Sequence, residues 1–135
     1  MLSRPDKKDS SPSSAASLVV SRRALDQRTS VISVEGELDL SSAPQLKWAL
    51  LDSAEAGHSQ LVVDLSRATF MDSTALGVLI GVNRGLDAGA RLTLVCQAPS
   101  ILKVFELSGM DGAFAIYATL EDALAPISAQ AAEAG

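Results

Sequence analysis

The sequence predicts an α/β domain built on a mixed β-sheet. Strand-like and helix-like segments alternate along most of the chain, as in βαβ units with right-handed crossovers and a largely parallel sheet. The run Leu61-Val62-Val63-Asp64-Leu65 is apolar without period-two alternation, as in a strand covered on both faces or set among parallel neighbours. Two strand-like segments also precede the first helix, separated by a short turn. They can pair as a hairpin, and that would make the sheet mixed.

Residues 18–25 read as the first strand and 29–35 as the second, joined through Asp26-Gln27-Arg28. Ser42-Ala43-Pro44-Gln45 has the form of a capping box with proline in the first turn. Leu46, Ala49, Leu50 and Ser53 continue one helical face to a stop at Gly57. The strand at 61–65 follows, and then a helix that opens at Ser73, runs to about residue 87 and stops at Gly89. Residues 92–96 make the next strand, and Pro99 opens a helix carrying Ile101, Leu102, Phe105 and Leu107. Residues 114–117 are a last short strand and 120–124 a last helix. Residues 1–16, rich in Ser, Lys and Asp with Pro5 and Pro12, are expected to form a disordered tail. The domain then spans 17–127, and the Ala-rich segment 128–135 is expected to be a flexible C-terminal tail.

Composition narrows the function. A chain of 135 residues favours one domain, and 47% hydrophobic content supports a real core. A net charge of −5 argues against nonspecific nucleic-acid binding, which needs a basic footprint. One cysteine and one histidine cannot build a Cys/His zinc site or an intramolecular disulfide. No apolar run is long enough to span a membrane and no secretory signal pattern opens the chain, so a cytoplasmic location is expected.

The chemistry concentrates at Phe70-Met71-Asp72-Ser73-Thr74-Ala75-Leu76-Gly77. A serine hydroxyl at a helix N-terminus faces unpaired backbone N–H groups and the positive end of the macrodipole, a seat suited to a phosphate. Most helix-opening serines serve only as caps. Here Asp72 can take the cap and leave Ser73 at the first helical position, with Thr74 as a competing hydroxyl. In open α/β sheets, sites gather beyond the carboxyl ends of the strands. Residues 35–39 and 66–72 read as two acidic loops there, so neighbouring strands would bring Asp39 near Asp72 and Ser73. Glu37 and Asp39 read as solvated loop acids; with Asp72 they could hold a Mg²⁺ ion, but dedicated all-protein magnesium cages are uncommon. Gly77, Gly81 and Gly85 recur at spacing four and share one strip of the helix. The strip either packs closely on the sheet or a neighbouring helix, or offers a smooth face to a partner. His58 is expected at the opposite end of the sheet from Ser73, and no Gly-x-Ser-x-Gly elbow is present, so Ser73 lacks the base of a hydrolase.

Gly36-Glu37-Leu38-Asp39, the Phe70–Gly77 run and Phe105-Glu106-Leu107-Ser108-Gly109-Met110 occur in this order. Over residues 18–126 the chain resembles the STAS-domain anti-sigma-factor antagonists of bacteria. The resemblance implies the STAS fold, a small mixed central β-sheet with helices packed mainly on one side. It also implies a binding protein, not an enzyme, with no cofactor, no metal, no nucleic-acid partner and no membrane insertion. Ser73 matches the serine that the family's partner phosphorylates, that partner being an anti-sigma factor with serine-kinase activity and an ATPase fold. The unphosphorylated antagonist binds the anti-sigma factor and frees a sigma factor, and a PP2C-type phosphatase resets the switch. The implied partner surface comprises Glu37, Asp39, Asp72, Ser73, Thr74, Gly77, Gly81, Asn83 and Arg84. Ala75 departs from the glycine of many members; alanine favours the helix there. The alternative is a STAS subunit of a lipid-transport or stressosome-like assembly.

Overall fold

A computed structural model describes residues 18–110 and 112–134. The elements run β1 (Leu18–Ala24), β2 (Thr29–Leu38), α1 (Ala43–Glu55), β3 (Gln60–Met71), α2 (Ser73–Gly85), β4 (Arg91–Val95), α3 (Pro99–Leu107), β5 (Ala115–Tyr117) and α4 (Leu120–Ala134). The strands form one sheet in the order β1-β2-β3-β4-β5, with β1 antiparallel to β2 and every later pair parallel. This is the α/β, mixed-sheet class the sequence predicts. The tail expected over 1–16 lies outside the described residues.

Strand order explains the layering. Each crossover advances by one strand in the same direction, and right-handed crossovers that do so place their helices on one face. On that face Ile32, Val34, Leu61, Val63, Leu65 and Leu94 of the strands pack with Leu46 and Leu50 of α1, Leu79 of α2, and Ile101 and Phe105 of α3. Phe105 meets Phe114 edge to face, with ring centroids 5.9 Å apart. The helix α4 follows the last strand, so no crossover rule holds it. It covers the other face, where Ala123 packs on Val31, Val62 and Val95. Burial on both faces is why residues 61–65 carry no alternation.

Local chemistry sets the turns. Asp26 accepts the backbone N–H groups of Arg28 and Thr29 at 2.8 and 2.7 Å and closes the β1–β2 hairpin. These hydrogen bonds hold its carboxyl below the usual carboxylate range. Ser53, on the inward stripe of α1, is buried with its hydroxyl 3.3 Å from that of Ser30.

Five elements differ from the sequence reading. β2 and β3 run past 35 and 65 to Leu38 and Met71, with Gly36 opposite Ala68, Glu37 opposite Phe70 and Leu38 opposite Met71. The stretches read as acidic loops are therefore mostly paired strand. Each alone is polar and glycine-containing, and it is extended because the other supplies its hydrogen-bond partners and because Leu38 and Met71 are buried at the end. Irregularities lie between Ser33 and Glu35 and between Gly36 and Glu37, and Gly36 takes φ +110°, which glycine adopts without strain. α2 ends at Gly85, because Leu86 turns extended (φ −70°, ψ 146°) and packs against the core. α4 is longer than expected and continues into the segment read as a tail; its alanines favour helix despite Pro126. Finally, Ser42 makes no side-chain cap to α1, so the capping box does not form.

Candidate functional site

The missing capping box has a specific cause. Asp39, not Ser42, leads the chain into α1. Its Oδ1 accepts the backbone N–H groups of Ser41 and Ser42, each at 3.0 Å, and the hydroxyl of Ser41 at 2.9 Å. Its carbonyl accepts the N–H groups of Ser42 and Ala43. The Ser42 hydroxyl turns back, with its proton shared between the carbonyl of Glu37 at 2.6 Å and the Asp39 Oδ1 at 3.0 Å, while it accepts the Asp39 N–H at 2.9 Å. The end of β2 is thus tied to the start of α1 by a knot centred on Asp39. The Ser41 hydroxyl, the Ser42 N–H and the Ser42 hydroxyl, in that order, hold the Asp39 carboxyl below the usual carboxylate range.

The sign of the resulting pH dependence follows. A depressed carboxyl stabilises the fold above its unfolded-state pKa, about 3.9, and that contribution is lost as pH falls through the lower folded-state value. In an NMR titration the Asp39 carboxyl carbon should move with a midpoint below that of an unstructured aspartate, together with the Ser41 and Ser42 amides. Asp39→Asn should remove this part of the acid dependence. An ordinary midpoint would show that the knot is not held in solution.

On the adjacent strand, Asp72 is the N-cap of α2, with extended backbone (φ −105°, ψ 179°). Its Oδ1 accepts the N–H groups of Thr74 and Ala75 at 2.9 and 3.1 Å, and its own N–H donates to the carbonyl of Leu38 at 3.1 Å. Of the two arrangements open at the sequence level, the one with Asp72 as cap is found. Ser73 occupies the first helical position, exposed, and among the described residues its hydroxyl makes no hydrogen bond. Thr74 is also exposed, one position further into the helix. Leu38 and Met71 are cross-strand partners, and neighbouring strands lie about 4.8 Å apart. Asp39 and Asp72 therefore leave the sheet side by side, the neighbourhood the sequence predicts for them.

The other candidates divide. Glu37 is exposed on the last stretch of β2. At about 100° per residue, Gly77 and Arg84 fall within about 40° of Ser73 around the α2 axis, and both are exposed. Asn83 turns some 80° the other way. It is half-buried and lines a 230 Å³ cavity with Gln60, Arg91 and Thr93 near the start of β4, so it does not join the Ser73 surface. A Cβ placed on Gly77, Gly81 or Gly85 meets nothing within 4 Å. The close-packing account of the glycine strip is thereby excluded, and the strip is an open face. Gly81 and Gly85 also border a 380 Å³ groove between the carboxyl ends of α1 and α2.

Neither cavity is lined by Ser73, Asp39 or Asp72. Among the described residues no group of three or more His, Cys, Asp or Glu side chains is placed to hold a metal ion. His58 precedes β3, whereas Ser73 follows it, and the His58 Nδ1 lies 3.2 Å from the carbonyl of Ser53. The tip of α2 is an exposed surface, with the carboxylates of Asp39 and Asp72 at this end of the sheet and His58 at the other end of β3. Sequence reading missed exposed apolar residues at this end, among them Leu40 and Phe70. Pattern alone had placed Phe70 in a loop and left Leu40 uninterpreted.

The STAS domain profile matches residues 22–123. The chain belongs to the STAS domain family. This STAS domain is 30% identical over 94 residues to the anti-sigma-F factor antagonist RsfB of Mycobacterium tuberculosis, a match that covers 70% of this chain and 77% of that protein. Its fold superimposes on an anti-sigma factor antagonist from Mycobacterium paratuberculosis with a TM-score of 0.78 and 31% identity, over 83% of this chain and 95% of that one. SpoIIAA, an anti-sigma factor antagonist of Bacillus, is similar in two states. Its unphosphorylated form gives 0.72 at 26% identity, over 82% of this chain and 97% of that one. Its phosphorylated form gives 0.64 at 28% identity, over 81% and 99%. Among the described residues no helix is long and apolar enough to cross a membrane.

Proposed function

We propose that this STAS domain is an anti-sigma-factor antagonist whose binding is switched off by phosphorylation of Ser73. The unphosphorylated form holds an anti-sigma factor that is itself a serine kinase of ATPase fold, and so frees a sigma factor. A PP2C-type phosphatase returns the phosphorylated form to the binding state. The observation that carries the reading is the state of Ser73. It stands exposed at the first position of α2, and Asp72 already does the capping that would otherwise explain a serine there. Family membership supports the same role, since the relatives named above are anti-sigma factor antagonists and SpoIIAA has a phosphorylated form.

The test is direct. The purified chain is incubated with ATP and the ATPase-fold serine kinases encoded in the same genome, and the phosphopeptides are mapped by mass spectrometry. One kinase should place phosphate on Ser73, and Ser73→Ala should abolish the label. Phosphate on Thr74, or undiminished labelling of Ser73→Ala, would refute the assignment.

A further inference from the structure

We propose that Leu40 and Phe70 are the two apolar anchors of the partner surface around Ser73, and that the partner offers apolar sockets framed by basic residues. The inference deepens the function proposed above and rests on it. Leu40 is 73% exposed and Phe70 48% exposed, although most large hydrophobic side chains of the described chain are buried. Both belong to the end of the sheet that carries Ser73. Leu40 directly follows the Asp39 knot. Phe70 stands opposite Glu37, beside the buried Met71 and three residues before Ser73.

The fold explains why nothing within the domain covers Phe70. β3 continues to Met71 past Asp64, its last residue paired with β4 (opposite Val95), and Phe70 points away from buried Met71 because successive strand residues alternate faces. On that face α4 packs over Val62 and Val95, lower in the sheet. Leu40 and Phe70 lie outside both cavities described above. Glu37 stands opposite Phe70, Asp39 immediately precedes Leu40 and Asp72 follows Met71, while Glu35 is already met by Arg67 at 4.0 Å. This acidic frame disfavours an anionic lipid surface and favours a protein with a basic rim. Isolated large apolar side chains within a polar frame match the usual anatomy of binding hot spots, in which aromatic residues are over-represented.

The experiment uses the full chain and the kinase found to label Ser73. Leu40→Ser and Phe70→Ser are compared with Leu107→Ser. Leu107 is 79% exposed but ends α3, at the opposite end of the sheet. Affinity for the kinase should fall about tenfold or more for Leu40→Ser and for Phe70→Ser and stay unchanged for Leu107→Ser, with melting temperatures close to wild type throughout. Binding within twofold of wild type for both site variants, or an equal loss for Leu107→Ser, overturns the inference. So does a dimer by analytical ultracentrifugation that the Leu40 and Phe70 changes dissociate without altering kinase affinity, because the occupant is then a second copy of this chain. If no kinase binds or labels the wild-type chain, the functional proposal fails instead, and the two failures are distinct.

Discussion

Phosphorylated at Ser73, the chain is expected to bind its anti-sigma partner about tenfold more weakly or worse, with almost no change in melting temperature. A phosphoserine adds about −1.5 to −2 charge. Within the domain that charge falls on the first turn of α2, where the macrodipole contributes about 0.3–1 kcal/mol of favourable interaction at exposed sites. The fold therefore has no reason to rearrange, and the Asp72 cap and the link from Asp72 to Leu38 stay in place. At the interface the balance reverses. Docking strips water from the phosphate and from Asp39 and Asp72 beside it, so that their mutual repulsion, screened in the free chain, rises at the lower dielectric and outweighs the pull of the partner's basic rim. Each unit repulsion from an acid about 5 Å away is worth roughly 3 kcal/mol at an effective dielectric near 20, before salt screening. Half of that is already a decade of affinity. Ser73→Asp should imitate the switch only in part, since one carboxylate carries less charge and fewer acceptors, and Ser73→Ala should bind constitutively. Calorimetric titration of the phosphorylated, unphosphorylated and Ser73→Asp forms, with parallel thermal melts, checks both halves. Equal affinities would refute the switch, and a large loss of melting temperature on phosphorylation would refute an electrostatic mechanism without refolding.

The second large effect is expected on the glycine face. Gly77→Leu and Gly81→Leu should each weaken partner binding about tenfold or more while raising stability by about 0.5–1 kcal/mol. The two consequences separate because of where the strip points. A helix-interior glycine leaves backbone entropy unrestrained, so replacement stabilises wherever space allows, and here a Cβ meets nothing within 4 Å. A partner lying flush on the strip would meet the whole isobutyl group instead. Gly81→Ala is the graded control, with a similar gain in stability and a smaller loss of affinity. Denaturant unfolding and calorimetry measure the two effects independently. Full affinity in both leucine variants would remove the strip from the interface, and lowered stability would mean that it packs against something after all.

Parts of this architecture were legible because local patterns record which side chains need burial. Residues 61–65 read as a doubly covered strand because both their faces are covered, one by α1, α2 and α3 and the other by α4. The start of α2 read as a helix tip because Asp72, Ser73 and Thr74 are all residues that favour such ends. Even the long α4 had a signal, its alanines, which Pro126 and the polar tail obscured. What was not legible depended on distant partners. Residues 36–38 and 68–71 look like loops until each is set beside the other. Ser42 looks like a cap until Asp39 takes the backbone N–H groups that lead into α1.

By itself the sequence determined the α/β class, the order of strands and helices, and the place of Ser73 at the opening of a helix. Each of these follows from residue type and spacing over a few turns of chain. Only the tertiary structure decided that the glycine strip is open, that Asn83 turns away from Ser73, that Asp39 and Asp72 leave adjacent strand ends, and that Leu40 and Phe70 stand uncovered. Exposure is a property of what does not pack against a residue. The missing neighbours belong to other elements, whose positions depend on strand register and crossover direction, so no local pattern carries that information.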